Sequence, residues 1–443
     1  MTLAYPSYRP SKVEWLGSLP EHWGVKRIKE TSYLKARVGW KGLTSDEFMY
    51  SGFAYLVTGT DFRAKFIDWS DCYCVDRDRY DDDPFIQLES GDLLITKDGT
   101  IGKLAIVTDL EKPACLNSGI FVVRPIKAYT TSYLYWVLSS PNFTHFCDLG
   151  SFGSTIQHLY QNVFENFSFP IPPINEQTAI ATFLDRETGK IDALIAEQKP
   201  LIELLKEKRQ AVISRAVTKG LKPDAPMKAS GVEWLGDVPE HWEIVPLRWF
   251  ATCSSGAAIG TDQVHPAQDS DAPVPVIGGN GVMGFSSDAN VDHEVLAIGR
   301  VGALCGNVHQ ILPPAWITDN ALVLEANTRS FDLAFLAQLL RARNLNQLAA
   351  RTAQPLITGT QVRDQRLPKP PLAEQAAIAG EIVTQVDKFE ALQREAENAI
   401  ALLTERRAAL ISAAVTGKID VRTFEGRREA AASPAKPDRM VFA

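Results

Sequence analysis

Apolar residues recur at spacings of three, four, seven or, once, eleven along two stretches of this chain. In the first they are Ile180, Leu184, Ile191, Leu194, Leu201, Leu205 and Val212; in the second, Ile378, Ile382, Val386, Phe389, Ile400, Leu403 and Leu410. Such spacing lines one face of a helix, and sustained over several turns it is a heptad-like stripe. Glu176 and Gln177, like Glu374 and Gln375, follow a Pro-Pro pair and suit a first helical turn. Gly189 and Pro200 interrupt the first stripe. The pattern predicts a short helix, a break near Gly189, and a long helix to about Thr218 kinked at Pro200. The stripes can bury each other as an antiparallel pair, with Ile191, Leu194, Leu201, Leu205 and Val212 against Val386, Phe389, Ile400, Leu403 and Leu410. The other arrangement is a helical hairpin packed separately on each neighbouring segment.

Outside the stripes the pattern changes to short apolar runs separated by Gly, Asn and Asp turns, which is a strand signal. Strands are predicted at 55–57, 93–96, 104–107 and 120–123, and again at 274–277, 295–298 and 321–324. Helices are predicted at 132–138 and 333–340. The sequence after Thr423 is polar and low in large apolar residues, so disorder is expected there.

The stripes belong to a larger repeat. SKVEWLGSLPEHW at 11–23 returns as SGVEWLGDVPEHW at 230–242. PIPPINEQTAIA, opening at Pro170, returns as PKPPLAEQAAIA at Pro368. Repeat units cover 9–30 and 228–249, then 169–221 and 367–419. The inserts between them, 31–168 and 250–366, barely resemble each other. A duplicated scaffold presenting two unlike inserts suits a protein that reads two different things with one geometry.

Composition narrows the function. The chain has 443 residues, 45% of them hydrophobic and 22% charged, as in an ordinary globular protein of two to four domains. Six cysteines form no C-x-x-C pair, which fits a reducing cytoplasm. The start has no apolar signal region, and no run reaches the about 18 apolar residues of a membrane span. The net charge of −7 argues against binding nucleic acid by bulk electrostatics, so such a role must use local patches or a basic partner.

Catalytic motifs are weak. Asp83-Pro84-Phe85 lacks the second proline of an adenine-methyltransferase loop, and a solvated turn explains it better. The run 99–104 (GTIGKL) has neither the spacing nor the hydroxyl of a P-loop, and 278–281 (GGNG) is turn chemistry. No H-x-x-x-H occurs, and Cys72-x-Cys74 has no second pair, so no metal and no cofactor are expected. His22 and His241, in the repeated PEHW, fit packing near the scaffold.

The ordered motifs resemble the specificity subunit of type I restriction–modification systems. Trp15-Leu16-Gly17 with Pro20-Glu21-His22-Trp23, and Trp234-Leu235-Gly236 with Pro239-Glu240-His241-Trp242, carry the likeness. So do Pro172-Pro173 with Glu176-Gln177, Pro370-Pro371 with Glu374-Gln375, and two basic-then-glycine turns, 97–102 and 300–306. The second turn is one residue longer between its glycines.

The resemblance implies an α+β fold: two mixed α/β target-recognition domains separated by two long antiparallel, coiled-coil-like helices in a pseudo-two-fold repeat. Expected boundaries are 1–168 for the first recognition domain with its arm 9–30, and 169–221 for the first helical spacer. Next come 222–366 for the second domain with its arm 228–249, 367–423 for the second spacer, and 424–443 for the tail. It further implies a non-catalytic subunit that reads a bipartite, asymmetric sequence in double-stranded DNA. Two methyltransferase subunits and the restriction/translocase subunits would be its partners. A protein-only docking scaffold and a fused enzyme are the other readings; the missing methyltransferase and nuclease motifs speak against the latter.

Base readout needs Arg, Lys, Asn, Gln, Ser or Thr on loops that reach base edges. The first insert offers Lys35, Arg37, Lys41, Thr58, Thr60, Arg63, Lys97, Lys103, Ser154, Thr155 and Gln157. The second offers Ser254, Ser255, Asn280, Arg300, Asn307, Gln354, Thr358 and Thr360. A helix from about Lys190 to Thr218 holds roughly 29 residues, or about 43 Å. A rod of that size suits readers one DNA turn apart, about 10 base pairs.

Overall fold

The computed structural model describes residues 4–37, 43, 47–150, 158–349, 355–422 and 424. The chain divides into two compact units, Met1–Glu197 with Ala399–Ala443, and Gln198–Asn398. Both boundaries fall inside long helices, so each unit owns part of each helix.

The first long helix, Ile174–Lys219, has 46 residues and the second, Leu372–Val415, has 44. The expected break at Gly189 is absent. A helical glycine costs about 1 kcal/mol relative to alanine, and its neighbours outweigh that. Leu184 and Ile191 are buried, and the buried Thr188 hydroxyl donates to the Leu184 carbonyl at 2.6 Å. Pro200 also sits inside the helix. It removes one N–H, but Pro200 and Ala196, four residues back, are both exposed. Water can therefore satisfy the freed Ala196 carbonyl.

The long helices meet within each unit. In the first, Arg407 donates to Asp192 at 2.8 Å, and Ile180 and Leu184 share a core with Ile411, Ala414 and Val415. In the second, Arg209 reaches Glu390 at 3.4 Å, and Ile213, Ala216 and Val217 share a core with Ile378 and Ile382. Within each unit the segments run antiparallel.

The pairing stripe needs correction. Ile191 and Leu205 are buried, and Val212, Val386, Phe389, Ile400, Leu403 and Leu410 are half-buried. Leu194 and Leu201, however, are 47% and 41% exposed. Burial is instead tightest where each helix ends against a domain. There Ala216 and Ala414, small enough for close approach, do what a search for large apolar residues overlooks.

Each unit holds a four-stranded and a three-stranded sheet, and their strand orders match. In the first unit the larger sheet runs Ser32–Ala36, Ile120–Pro125, Leu93–Thr96, Leu104–Ile106; the smaller runs Tyr73–Val75, Ala54–Val57, Ala114–Leu116. In the second they run Ala251–Ser255, Ala321–Ala326, Val295–Gly299, Val308–Ile311, and Gly281–Ser286, Val274–Gly278, Trp316–Ile317. The larger sheets are antiparallel throughout, and each smaller sheet contains one parallel pair. All seven predicted runs are strands. Leu93–Thr96 and Val295–Gly299 are buried at every position, which is why they read as unbroken apolar runs. Helices Thr131–Leu138 and Leu333–Arg343 also stand where predicted.

One strand pair ties each repeat arm to the root of a long helix. Gly24–Arg27 pairs with Ser168–Ile171, and Glu243–Pro246 pairs with Arg366–Lys369. This places Trp23 and Trp242, both fully buried, in the two main cores.

Candidate nucleic-acid interface

The repeated motifs build a clamp at the base of each domain. Gln177 is fully buried: its carbonyl accepts from Thr130 N–H at 2.9 Å, and its amide donates to the Ala128 and Pro172 carbonyls, both at 2.8 Å. Thr130 is the N-cap of Thr131–Leu138. Gln375 repeats the arrangement with Asp332 N–H (2.9 Å) and the Ser330 (3.0 Å) and Pro370 (2.8 Å) carbonyls; Asp332 caps Leu333–Arg343. The buried Glu176 accepts from Trp23 Nε1 at 3.0 Å and Tyr5 Oη at 3.1 Å, and meets His22 at 2.8 Å. Glu374 meets His241 at 2.8 Å, but Trp242 Nε1 is buried with no partner among the described residues. The two PEHW histidines thus each bond the glutamate in the first turn of a long helix.

At one end of each pair of sheets the candidate reading loops converge. Lys97 follows the central strand; its N–H donates to the Gly119 carbonyl (2.8 Å) and its carbonyl accepts from Leu159 N–H (2.9 Å). Arg300 occupies the same place: its N–H donates to Asn320 (3.0 Å) and its carbonyl accepts from Ile357 (2.9 Å). The following turns close alike, Gly102 N–H onto the Thr96 carbonyl and Gly306 N–H onto that of Gly299. Lys103 and Asn307 are then equivalent residues leaving the turns. The left-handed φ at Gly99, Gly102, Gly302 and Gly306 explains the glycines. Gly59, between Thr58 and Thr60, packs on Thr96; Gly279, beside Asn280, packs on Gly299.

Side chains at these ends are cross-braced. Lys97 holds Asp98 at 2.7 Å, and Asp98 meets His158 at 2.8 Å. Burial alone would raise Asp98, but the hydrogen bonds from Lys97 and His158 hold its carboxyl below the usual range. Thr58 and Thr60 share a hydrogen bond of 2.6 Å, and Asp61 accepts from the Thr58 hydroxyl. In the second unit Arg300 donates to Ser255 at 3.0 Å and to the Asp319 carbonyl at 3.2 Å, and Asn307 donates to Asn280 at 3.1 Å. Ser254 is exposed on the adjoining edge strand.

Other candidates fall elsewhere. Arg37 is not a surface group: it is buried, donates to the Leu116 carbonyl at 3.0 Å, and burial pulls its pKa down. Arg63 is exposed but engaged by Asp68 (3.1 Å) and Asp71 (2.7 Å). Lys35 lies over the Phe85 ring, 5.8 Å from its centroid. Thr358 caps Gly359–Arg363, and Thr360 is exposed in its first turn. Lys41, Ser154, Thr155, Gln157 and Gln354 lie outside the described residues. Asp83 accepts from Phe85 N–H and caps a short 3-10 turn. Among the described residues no cluster of His, Cys, Asp or Glu could hold a metal, and no helix is long and apolar enough to cross a membrane. The Asp98–His158 brace was missed because its members lie 60 residues apart.

Two domains of one topology are each rooted on long helices and end in polar, glycine-shaped loops. The type I restriction modification DNA specificity domain matches residues 40–204 and 239–402. The chain belongs to that family and is a type I restriction–modification specificity subunit. It is 27% identical over 310 residues to the EcoprrI specificity subunit of Escherichia coli, spanning 68% of this chain and 71% of that one. To the MjaVIII specificity subunit of Methanocaldococcus jannaschii it is 23% identical over 438 residues, 92% of this chain and 95% of the other. The fold is similar to a chain from a structure of type I R-M complex assembly, with TM-score 0.71 and 16% identity over 90% of this chain and 98% of that chain. The HsdS subunit from Thermoanaerobacter tengcongensis gives 0.52 at 16% identity over the same shares.

Proposed function

We propose that this chain reads a split, asymmetric DNA target, one half per recognition domain, and carries no catalytic step itself. Its inserts, 31–168 and 250–366, are the readers. The paired helical segments, 169–221 and 367–423, are the surface on which two adenine-methylating subunits and the restriction subunits dock in the cytoplasm. One observation carries this reading: inserts of unlike sequence share a strand order and hold Lys97 and Arg300 at the same point. Equal geometry with unequal side chains is what two half-sites of different sequence require. The net charge of −7 fits a division of labour in which partners supply much of the phosphate contact.

The test is an insert exchange. Residues 31–168 are replaced by the insert of a relative, and the methylome of the host is sequenced. One half of the methylated motif should change and the other stay. A change in both halves would overturn the assignment. Failure of the full chain with its methylating partner to select any DNA sequence would favour a protein-only scaffold.

A further inference from the structure

We infer that the second recognition domain reads the C5-methyl group of a thymine with Leu304. The inference rests on the DNA-reading function proposed above. Leu304 sits in the turn after the central strand and is 49% exposed. The turn leaves it little freedom. Gly302 and Gly306 hold left-handed φ of +82° and +88°. Gly302 N–H donates to Pro355, Cys305 N–H to Gly302, and Gly306 N–H to Gly299. The Asn346 amide holds the Cys305 carbonyl at 2.9 Å. Cys305 is fully buried, so the turn is anchored by one residue and displays the one before it.

More apolar side chains lie exposed on the segments this turn touches. Val282 and Met283 are 60% and 57% exposed just past the 278–281 hairpin tip, and Leu356 faces Val301 across a β-bridge. The tip and the turn are joined by the Asn307–Asn280 hydrogen bond. Single exposed leucines are ordinary, so the weight falls on the polar residues that surround Leu304. The joined turn and tip carry Asn280, Asn307 and Arg300, the residue types that pair with base edges. The apolar feature that base edges offer in the major groove is the thymine methyl. The first domain supplies an internal contrast: Ile101, in its equivalent turn, packs against the main core.

The experiment uses the full chain with its modification subunits and a duplex carrying the target defined by methylome sequencing. Each thymine of the half-site read by the second domain is replaced in turn by deoxyuridine, which removes only the methyl. One position should weaken binding about fourfold, the worth of burying one methyl. Leu304→Ala should weaken binding to the all-thymine duplex similarly and abolish the response to deoxyuridine, while Leu304→Met should retain part of it. Thermal melting of both variants should match the parent, because the side chain is half in solvent. Several results would overturn the inference: a half-site without thymine, no responsive position, or a deoxyuridine effect undiminished in Leu304→Ala. So would an equal loss on every duplex, which would point to a wedge between base steps or a protein contact. Loss of all sequence preference in the parent complex would instead strike the DNA-reading function itself.

Discussion

Replacing Gln177 by alanine should open the first recognition domain at its base and leave the second intact. The side chain makes three hydrogen bonds, all to backbone groups, and is fully buried. Each bond contributes about 1 kcal/mol net, and a buried group left unpaired costs about 1–3 kcal/mol. Three such groups put the loss at about 3–9 kcal/mol, a large share of the roughly 5–15 kcal/mol available to a domain. The damage should begin at Thr130, the N-cap of Thr131–Leu138, whose N–H loses its acceptor. Native-state hydrogen exchange reads this directly: protection should fall along Thr131–Leu138 and hold along Leu333–Arg343. Gln375→Ala should give the mirror result. Gln177→Glu keeps the acceptor for Thr130 but cannot donate to two carbonyls, so at neutral pH it should be at least as harmful. Acidification, by giving the carboxyl a proton to donate, should relieve part of the loss. A change below about 1 kcal/mol in Gln177→Ala would refute the clamp, since not even one unpaired group could then be left behind.

Native mass spectrometry of the assembled methyltransferase should find two modification subunits per chain; a saturated one-to-one complex would contradict equivalent docking surfaces. Four residues, about one helical turn of roughly 5.4 Å, inserted both after Glu197 and after Asn398 should lengthen the unread spacer by one or two base pairs. An active complex whose methylome keeps the old spacer would show that the long helices do not set it. His309 is held below its ordinary pKa by burial and then by Arg341. Its unfolded form binds protons more readily, so this contribution to the second unit is complete above about pH 6.5 and is lost as pH falls through the lower folded value. Melting temperature followed from pH 7.5 to 5 should decline less in His309→Asn than in the parent.

Much of the fold could be read from period alone, because period reports burial. Val295–Gly299 is apolar throughout since it is central and covered on both faces. The arm strands escaped: Tyr8–Pro10 pairs with Ser18–Pro20 through backbone alone, and its exposed side chains carry no alternation. Gly189 misled because a local cost was weighed without the tertiary burial of Leu184 and Ile191 that overrides it. In Glu176 and Gln177 only a helix start was visible; their partners in the arm and before the terminal helix lie more than 40 residues away. At the candidate interface, residue type singled out Lys97 and Arg300 equally well, but it could not separate Arg37, whose arginine is spent inside the protein. Pairing across a fold is invisible to a list of polar residues.

The first core is sewn from both ends of the chain: Trp23 and Leu19 pack with Ile411, Ala414, Val415 and Val421. Among the described residues the second core draws on Ile213 to Val386. On the ribosome, where domains generally fold in order of emergence, this reverses the usual sequence. The domain made first must wait, with its tryptophan uncovered, for Ile411 to Val421 to leave the exit tunnel. The domain made second can close before those residues emerge. A chain truncated before Ile411 by a premature stop would therefore release a molecule with a sealed second reader and an open first one. Such a product leaves Trp23 and Leu19 without those partners and is suited to capture by chaperones or proteases.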